Sequence, residues 1–110
     1  MADDTPPLLS RQDGAVLTLT LNRPQALNSF NGALHDALVA ALKAAAGDAG
    51  VRCVVITGAG RGFCAGQDLS DPAIAPDLTP GAAPKDIGKL IEERYKPLAL
   101  AIHHFPVPVI

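Results

Sequence analysis

A dense run of glycines in the middle of the chain constrains the fold more than any other feature. Residues 51–57 form a nearly continuous apolar run rich in β-branched side chains, which predicts a buried strand in a sheet covered on both faces. Gly58, Gly60, Gly62 and Gly66 follow directly. Because glycine has no Cβ, such a loop can present its backbone N–H groups to a ligand without obstruction. The segment therefore predicts a strand that leads into a ligand-binding loop.

The segment before this strand predicts a β-hairpin. Residues 8–12 and 15–21 flank Asp13-Gly14, a pair typical of two-residue turns because both positions tolerate positive φ. The alternation of Leu with Val and Thr along the second segment predicts a half-buried strand. Pro24 ends that strand, since proline cannot donate a hydrogen bond to a ladder.

Two stretches have helical spacing. Residues 31–46 predict a helix that ends before Gly47. Residues 86–104 predict a second helix, which Pro97 should kink because its missing N–H cannot bond the carbonyl of Glu93. The predicted stripes are Leu34, Leu38, Leu42 and Ala45, with His35, Asp36 and Lys43 on other faces, and Ile87, Leu90, Ile91, Tyr95, Leu98 and Ile102.

The remaining segments complete an α/β pattern. Residues 1–7 are predicted to be a polar tail, and residues 71–85, rich in Pro, Ala and Gly, a mobile surface loop whose length suggests function. Residues 106–110 look like the first residues of a buried strand. The 110 residues suffice for one small domain and not for two.

Composition excludes several classes of function. A net charge of −2 provides no general basic surface, so a nucleic-acid module is not expected. No apolar stretch is long enough to cross a bilayer, and the first residues lack the pattern of a signal peptide. Cys53 and Cys64 are interpreted as two reduced thiols rather than a disulfide framework. These features predict a cytoplasmic protein with no membrane partner.

The glycine-rich loop has two competing uses. Gly60-x-Gly62-x-x-Ala65 fits a dinucleotide fingerprint, but that motif needs a helix opening in the loop and an acidic residue on a following strand. Here a Pro-rich run follows instead, which disfavours a nucleotide site. The alternative is an acyl-binding turn, whose backbone N–H groups stabilise charge on a thioester oxygen. A short helical turn opening at residues 68–70 would reinforce those donors through its dipole.

Other candidate side chains have structural interpretations as well. Asp68 lies beside the presumed ligand, yet it could equally cap the following turn. Cys64 is interpreted as a small apolar loop residue, since no His and orienting partner are supplied by spacing. His103 and His104 are adjacent on a helix and should point apart, so no metal site is expected.

The residues quoted so far resemble those of the enoyl-CoA hydratase/isomerase (crotonase) superfamily. Three separated segments carry the resemblance in the right order: residues 21–30, residues 54–69 and residues 106–110. It implies a ClpP/crotonase-like spiral of β-β-α units, of which residues 1–110 would be the amino-terminal part of a single domain. No cofactor and no metal are implied, because coenzyme A is part of the substrate.

The resemblance also implies roles for individual residues. The backbone N–H of Gln67 would be the first of two oxyanion-hole donors. The nucleotide part of the CoA thioester would lie along Arg23, Gln25, Ala26 and Leu27, and the pantetheine and thioester along Ala65, Gly66, Asp68 and Leu69. Arg23 could meet a phosphate or could be a solvated residue at the end of a strand.

Within the family, residues 66–69 and 93–98 most resemble the ring-epoxide isomerases of phenylacetate breakdown. The implied reaction is isomerisation of 2-(1,2-epoxy-1,2-dihydrophenyl)acetyl-CoA through an enolate-like intermediate. Hydration of a 2-enoyl-CoA is the alternative, and a non-catalytic fragment that binds CoA or only assembles is an alternative of another class. The acid/base carboxylates and the second oxyanion donor are expected after Ile110, so these residues alone should be inactive. Family members form trimers and hexamers, which implies an oligomer.

Overall fold

The computed structural model describes residues 5–110, so residues 1–4 of the predicted tail lie outside the described residues. The rest of that tail is bound to the body of the chain. The backbone N–H of Asn22 donates to the carbonyl of Pro7 at 2.8 Å, and its side-chain amide donates to the carbonyl of Pro6 at 3.0 Å. Asn22 therefore fixes the segment that leads into the first strand.

The predicted hairpin is present, with its turn one residue further along. Strands β1 (Leu8–Asp13) and β2 (Val16–Leu21) are antiparallel, and Asp13 pairs with Val16. The two-residue loop is thus Gly14-Ala15 and not the predicted Asp13-Gly14. Only the first loop residue, Gly14, has a positive φ, at 59°. A positive φ at the first position alone is the requirement of a type II′ turn, whereas Asp13-Gly14 would have formed a type I′ turn.

Helix α1 (Gly32–Ala46) confirms the first predicted helix. It begins at Asn31, whose side chain accepts from the backbone N–H of Leu34 at 2.9 Å. Its predicted stripe is buried, and together with Leu17, Leu19 and Leu21 of β2 it forms the core. One assignment was wrong: His35, expected on another face, is 2% exposed. The reason is that Tyr95 and Phe30 pack over this side of α1.

Strand β3 (Cys53–Gly58) extends the sheet in the order β1-β2-β3 and runs parallel to β2. The predicted strand is confirmed, but its burial on both faces is not. Val54 is fully buried against the core, while Cys53 and Val55 on the opposite face are only partly covered within residues 5–110. Val109 forms a parallel bridge to Val54, so the last residues join the sheet beside β3 through an isolated bridge rather than the predicted strand. Burial there is not observed, since Ile110 is 75% exposed.

The second predicted helix is divided into three parts. Helix α2 (Ile87–Leu90) leads into a π-helical turn (Ile91–Tyr95), and α3 (Lys96–His103) follows. The interruption comes directly before Pro97, where a kink is expected. A π turn holds one more residue than an α turn, so the predicted apolar stripe loses its phase. Leu98 is its only fully buried member among the described residues, Tyr95 and Ile102 are partly buried against the core, and Ile87 and Ile91 are exposed.

Between β3 and α2 the chain forms loops and turns, with one isolated parallel bridge between Gln67 and Phe30. The short helix predicted at residues 68–70 is absent; the backbone N–H of Asp71 bonds the Asp68 carbonyl in a single turn. A helix dipole therefore does not contribute to this loop. Residues 76–85 lie largely exposed on the surface, in line with the predicted surface loop.

Candidate active site

Asn28 connects the segment after β2 to the glycine-rich loop. Its side chain is fully buried; its Oδ1 accepts from the backbone N–H of Arg23 at 2.8 Å. Its Nδ2 donates to the carbonyls of Ala59 and Gly62, both at 2.9 Å. Leu27 and Asn28 also have positive φ values of 51° and 56°. This role of Asn28 was not predicted from the sequence, although Asn is among the residues that tolerate positive φ best.

Two glycines of the loop are required by close packing. A Cβ at Gly58 would lie 2.4 Å from the carbonyl oxygen of Phe63 and 2.6 Å from that of Gly62. Gly60 has φ of +79°, and a Cβ there would lie 3.0 Å from the Cβ of Pro24. The glycine run therefore folds the loop tightly against the end of β3 and the turn at Pro24–Ala26.

The peptide group between Gly66 and Gln67 has a fixed direction. The backbone N–H of Phe30 donates to the Gly66 carbonyl at 2.7 Å, and the N–H of Asp68 donates to the Phe30 carbonyl at 2.8 Å. In a planar trans peptide the C=O and N–H groups point in opposite directions. The Gln67 N–H is thus directed away from Phe30, and it has no acceptor within residues 5–110. Gly66 reaches this geometry with φ of +108°, which L side chains rarely adopt.

Arg23 and Asp68 form an ion pair that joins the two predicted CoA-binding segments. The guanidinium Nη2 lies 2.9 Å from Asp68 Oδ2, and both side chains are about 15% exposed. Arg23 Nη1 also donates to the carbonyl of Ser29. The interpretation of Arg23 as a solvated residue was therefore wrong, because two acceptors hold its side chain.

Asp68 also caps the turn that follows it, as one of its two interpretations predicts. Its Oδ1 accepts from the backbone N–H of Ser70 at 2.9 Å and from the Ser70 hydroxyl at 2.7 Å. Hydrogen bonds from Ser70, and after them the one from Arg23, lower the pKa of Asp68 from 3.8 to about 2. A carboxylate held ionised in this way is a structural anchor and not a proton donor near neutral pH.

Asp71 attaches the next part of the chain to α1. Its Oδ2 accepts from the backbone N–H of Gly32 at 2.9 Å, and its Oδ1 accepts from the N–H of Ala73 at 2.8 Å. Gly32 is the first residue of α1, where unpaired N–H groups favour a negative side chain. The loop is thus fixed at both Asp68 and Asp71 before it reaches the exposed residues.

An aromatic cluster on the other side of the loop holds the side chain of Gln67. The Tyr95 hydroxyl donates to Gln67 Oε1, and Gln67 Nε2 donates to the carbonyl of Asp68 at 3.1 Å. Tyr95 contacts His35 edge-on, with ring centroids 4.6 Å apart. Burial raises the pKa of Tyr95. Burial, and secondarily the charge of Arg94, lowers the pKa of His35, and both of its ring nitrogens lack a partner in the described part of the chain.

The predicted site residues are distributed over two facing segments. The backbone N–H of Ala65 donates to the carbonyl of Leu27 at 3.0 Å, which brings residues 65–69 onto residues 23–27. Gln25, Leu27 and Leu69 are exposed, and within the described part of the chain no side-chain hydrogen bond joins Gln25 to the loop. The structure therefore brings Arg23 and the backbone of Leu27 together with Ala65, Gly66, Gln67 and Asp68. Tyr95 and Asp71, which complete the arrangement, were not predicted, since their partners are distant in sequence.

Two other expectations concern metal binding and nucleophiles. The rings of His103 and His104 lie 4.9 Å apart, so the expectation that they point apart was wrong; His104 stands at the end of α3, outside its regular part. Over residues 5–110 no group of three or more metal-ligating side chains occurs. Cys64 packs, partly buried, against the core.

No helix in the described range is long and apolar enough to cross a membrane.

Comparison with known proteins places this geometry in a family. The family model described as enoyl-CoA hydratase/isomerase matches residues 16–110. A 1,2-epoxyphenylacetyl-CoA isomerase of Escherichia coli is 48% identical over 94% of this chain and 38% of its own length. A probable enoyl-CoA hydratase of Rhodobacter capsulatus is 41% identical over 84% of this chain and 32% of its own length. The chain thus spans about a third of the length of these relatives.

Solved structures agree with this result. An enoyl-CoA hydratase of Mycobacterium smegmatis superposes with a TM-score of 0.78 at 37% identity, over 96% of this chain and 38% of that one. One from Mycobacterium marinum has a TM-score of 0.72 at 43% identity, over 94% and 46%. The predicted α/β crotonase-like fold is confirmed. With the family model matched over most of its residues, the chain belongs to the enoyl-CoA hydratase/isomerase family of the crotonase superfamily.

Proposed function

We propose that the protein containing this chain acts on an acyl-CoA thioester and that the backbone N–H of Gln67 stabilises charge on the thioester carbonyl oxygen. When a proton leaves Cα or a nucleophile adds to Cβ, electrons move onto that oxygen. A fixed, neutral donor aimed at the oxygen lowers the energy of this state without a proton transfer of its own. The observation that supports the proposal is the Gly66–Gln67 peptide, held by Phe30 with its N–H free of any described acceptor.

The neighbouring groups suit a CoA ligand along the same surface. Leu27 and Leu69 are exposed apolar side chains on the two facing segments, at 37% and 76%. The Arg23–Asp68 pair lies between these segments and holds them together. We propose that the nucleotide part of the ligand lies along residues 23–27, and the pantetheine and thioester along residues 65–69. In this arrangement Arg23 serves first to fix Asp68, and a contact with phosphate is secondary.

For the acyl group, we propose a ring-epoxidised phenylacetyl moiety and an isomerisation that passes through an enolate-like intermediate. The 48% identity to the 1,2-epoxyphenylacetyl-CoA isomerase over nearly all of the chain supports this choice. Hydration of a 2-enoyl-CoA is the second candidate. It is favoured by the similarity to a 2,3-dehydroadipyl-CoA hydratase of Escherichia coli, 52% identical over 60% of this chain.

A panel of acyl-CoA substrates separates the two reactions. The protein at its full natural length is incubated with ring-epoxidised phenylacetyl-CoA and with a 2-enoyl-CoA, and products are resolved by chromatography and mass. Isomerisation gives a new retention time at unchanged mass, whereas hydration adds one water. No product from either substrate would overturn the proposal.

A matched pair of variants tests the donor. Gln67→Pro removes the N–H, since proline has none, while Gln67→Ala keeps it and removes only the side chain. Loss of one oxyanion donor costs on the order of 100- to 1,000-fold in kcat, so the proline variant should fall far below the alanine variant. Thermal unfolding of both identifies any effect of misfolding. Equal activity of two folded variants would contradict the role of the N–H.

A further inference from the structure

Tyr95 contacts the side chain of Gln67, the residue whose backbone N–H is the proposed oxyanion donor. Its hydroxyl donates to Gln67 Oε1, while Gln67 Nε2 donates to the carbonyl of Asp68. The side chain of Gln67 is therefore bound at both ends. A glutamine with both polar atoms engaged loses rotamer freedom, and its backbone loses freedom with it.

The ring of Tyr95 also supports the backbone partner of this peptide. Tyr95 lies 6.3 Å from Phe30 between ring centroids and meets His35 edge-on at 4.6 Å. Phe30 is the residue whose N–H bonds the Gly66 carbonyl and so directs the Gln67 N–H. Tyr95 thus contacts both the side chain of Gln67 and the residue that orients its peptide group.

The π-helical turn accounts for the placement of Tyr95. Tyr95 is the last residue of that turn, and Lys96 donates its backbone N–H to the carbonyl of Ile91, five residues earlier. Successive residues of an α-helix are rotated by about 100°, so the additional residue in the turn changes the direction of the side chains around it.

We propose that Tyr95 is a positioning residue for the oxyanion donor: its hydroxyl holds Gln67 so that the peptide N–H keeps one direction. The inference rests on the proposed function and extends it to a residue on another element. Because Tyr95 acts through Gln67, its loss should reduce kcat and leave KM for the acyl-CoA unchanged.

Tyr95→Phe removes the hydroxyl and keeps the ring. We expect kcat to fall on the order of three- to tenfold, the effect of one hydrogen bond. Gln67→Ala should cause at least this fall, because it also removes the bond from Gln67 Nε2 to the Asp68 carbonyl. Adding Tyr95→Phe to Gln67→Ala should cause no further fall, since the hydroxyl acts only through Gln67. Lys96→Ala is the matched control, because it removes an exposed contact with Glu92 beside the same π-helical turn. Wild-type kcat in Tyr95→Phe, or multiplicative losses in the double variant, would overturn the inference.

Hydrogen exchange of peptides covering residues 64–70 provides a readout that does not depend on turnover. Tyr95→Phe should speed exchange in this segment, where Ala65 and Asp68 donate backbone hydrogen bonds to the facing chain, and Lys96→Ala should not. If no acyl-CoA is turned over, the proposed function fails, and faster exchange in Tyr95→Phe alone would still support positioning. Unchanged exchange in Tyr95→Phe would overturn it.

Discussion

The charged side chains of Arg23 and Asp68 are largely shielded from solvent, and we expect their ion pair to stabilise the fold. Arg23→Met should lower the free energy of unfolding at pH 7 by about 1–3 kcal/mol, since Asp68 keeps its charge and loses a hydrogen-bonded partner. Arg23→Lys should lower it less, because the charge remains while the forked geometry is lost. Urea unfolding of the three proteins measures the difference.

The pH dependence of that loss follows from the pKa of Asp68. Its folded value of about 2 lies below the ordinary 3.8, so the stabilisation is fully present above pH 3.8 and disappears as the pH falls towards 2. The difference between wild type and Arg23→Met should therefore shrink over this range. A difference that stays constant down to pH 2 would contradict the assignment of the pair.

His35 carries a second pH-dependent prediction, at higher pH. Its pKa is lowered, chiefly by burial and then by Arg94, so the unfolded chain binds a proton at a higher pH than the folded chain. Stability should therefore fall as the pH drops below about 6.5. Asp36 and Asp71, which act in the other direction, are the smaller influences. The melting temperature of His35→Gln should depend less on pH between 7.5 and 5.5 than that of wild type. His103→Gln is the matched control at an exposed position, and an equal pH dependence in all three would refute the prediction.

At the scale of elements, the end of β3 requires a glycine, because the surrounding atoms leave no room for any other side chain. Gly58→Ala would place a Cβ 2.4 Å from the Phe63 carbonyl oxygen, a backbone atom that can move only if the loop moves. We expect a loss of about 3 kcal/mol in unfolding free energy, the upper part of the range for overpacking. Gly47→Ala is the control: φ there is −92°, and the nearest atom to its Cβ is 3.9 Å away. Similar losses in the two variants would show that the crowding at Gly58 is unimportant.

Apolar periodicity predicts correctly those elements that bury one regular face of side chains against the core. Helix α1 and strand β2 were predicted with nearly correct ends, because one apolar face of each meets the core. The type II′ turn and the π-helical turn were missed, since each differs from the expected structure by a single residue in hydrogen-bond register. The spacing of apolar residues cannot distinguish two turns whose hydrogen-bond registers differ by one residue. The burial of His35 was missed for another reason: its covering residue, Tyr95, comes from a distant part of the sequence.

At the scale of the whole molecule, the site is assembled by contacts between segments far apart in the chain. Family resemblance identified residues 23–27 and 65–69, and the structure places these segments side by side. The side chains that join them were not predictable in the same way. Asn28 reaches Gly62 and Tyr95 reaches Gln67 across 34 and 28 residues. Such pairs become visible only when the packing of α1 and β3 against β2 is known.

This assembly predicts a footprint with two separate parts. Binding of an acyl-CoA to the full-length protein should slow hydrogen exchange in residues 23–27 and 65–69 together, because one ligand would cover both segments. The exposed residues 76–85 should also be protected if the loop closes over the ligand, whereas β1, on the far edge of the three-stranded sheet, should be unchanged. Asn28→Gly keeps the positive φ and removes the bonds to Ala59 and Gly62, so it should weaken binding and reduce protection in both segments. Protection confined to one segment in the wild-type protein would contradict a single site built from both.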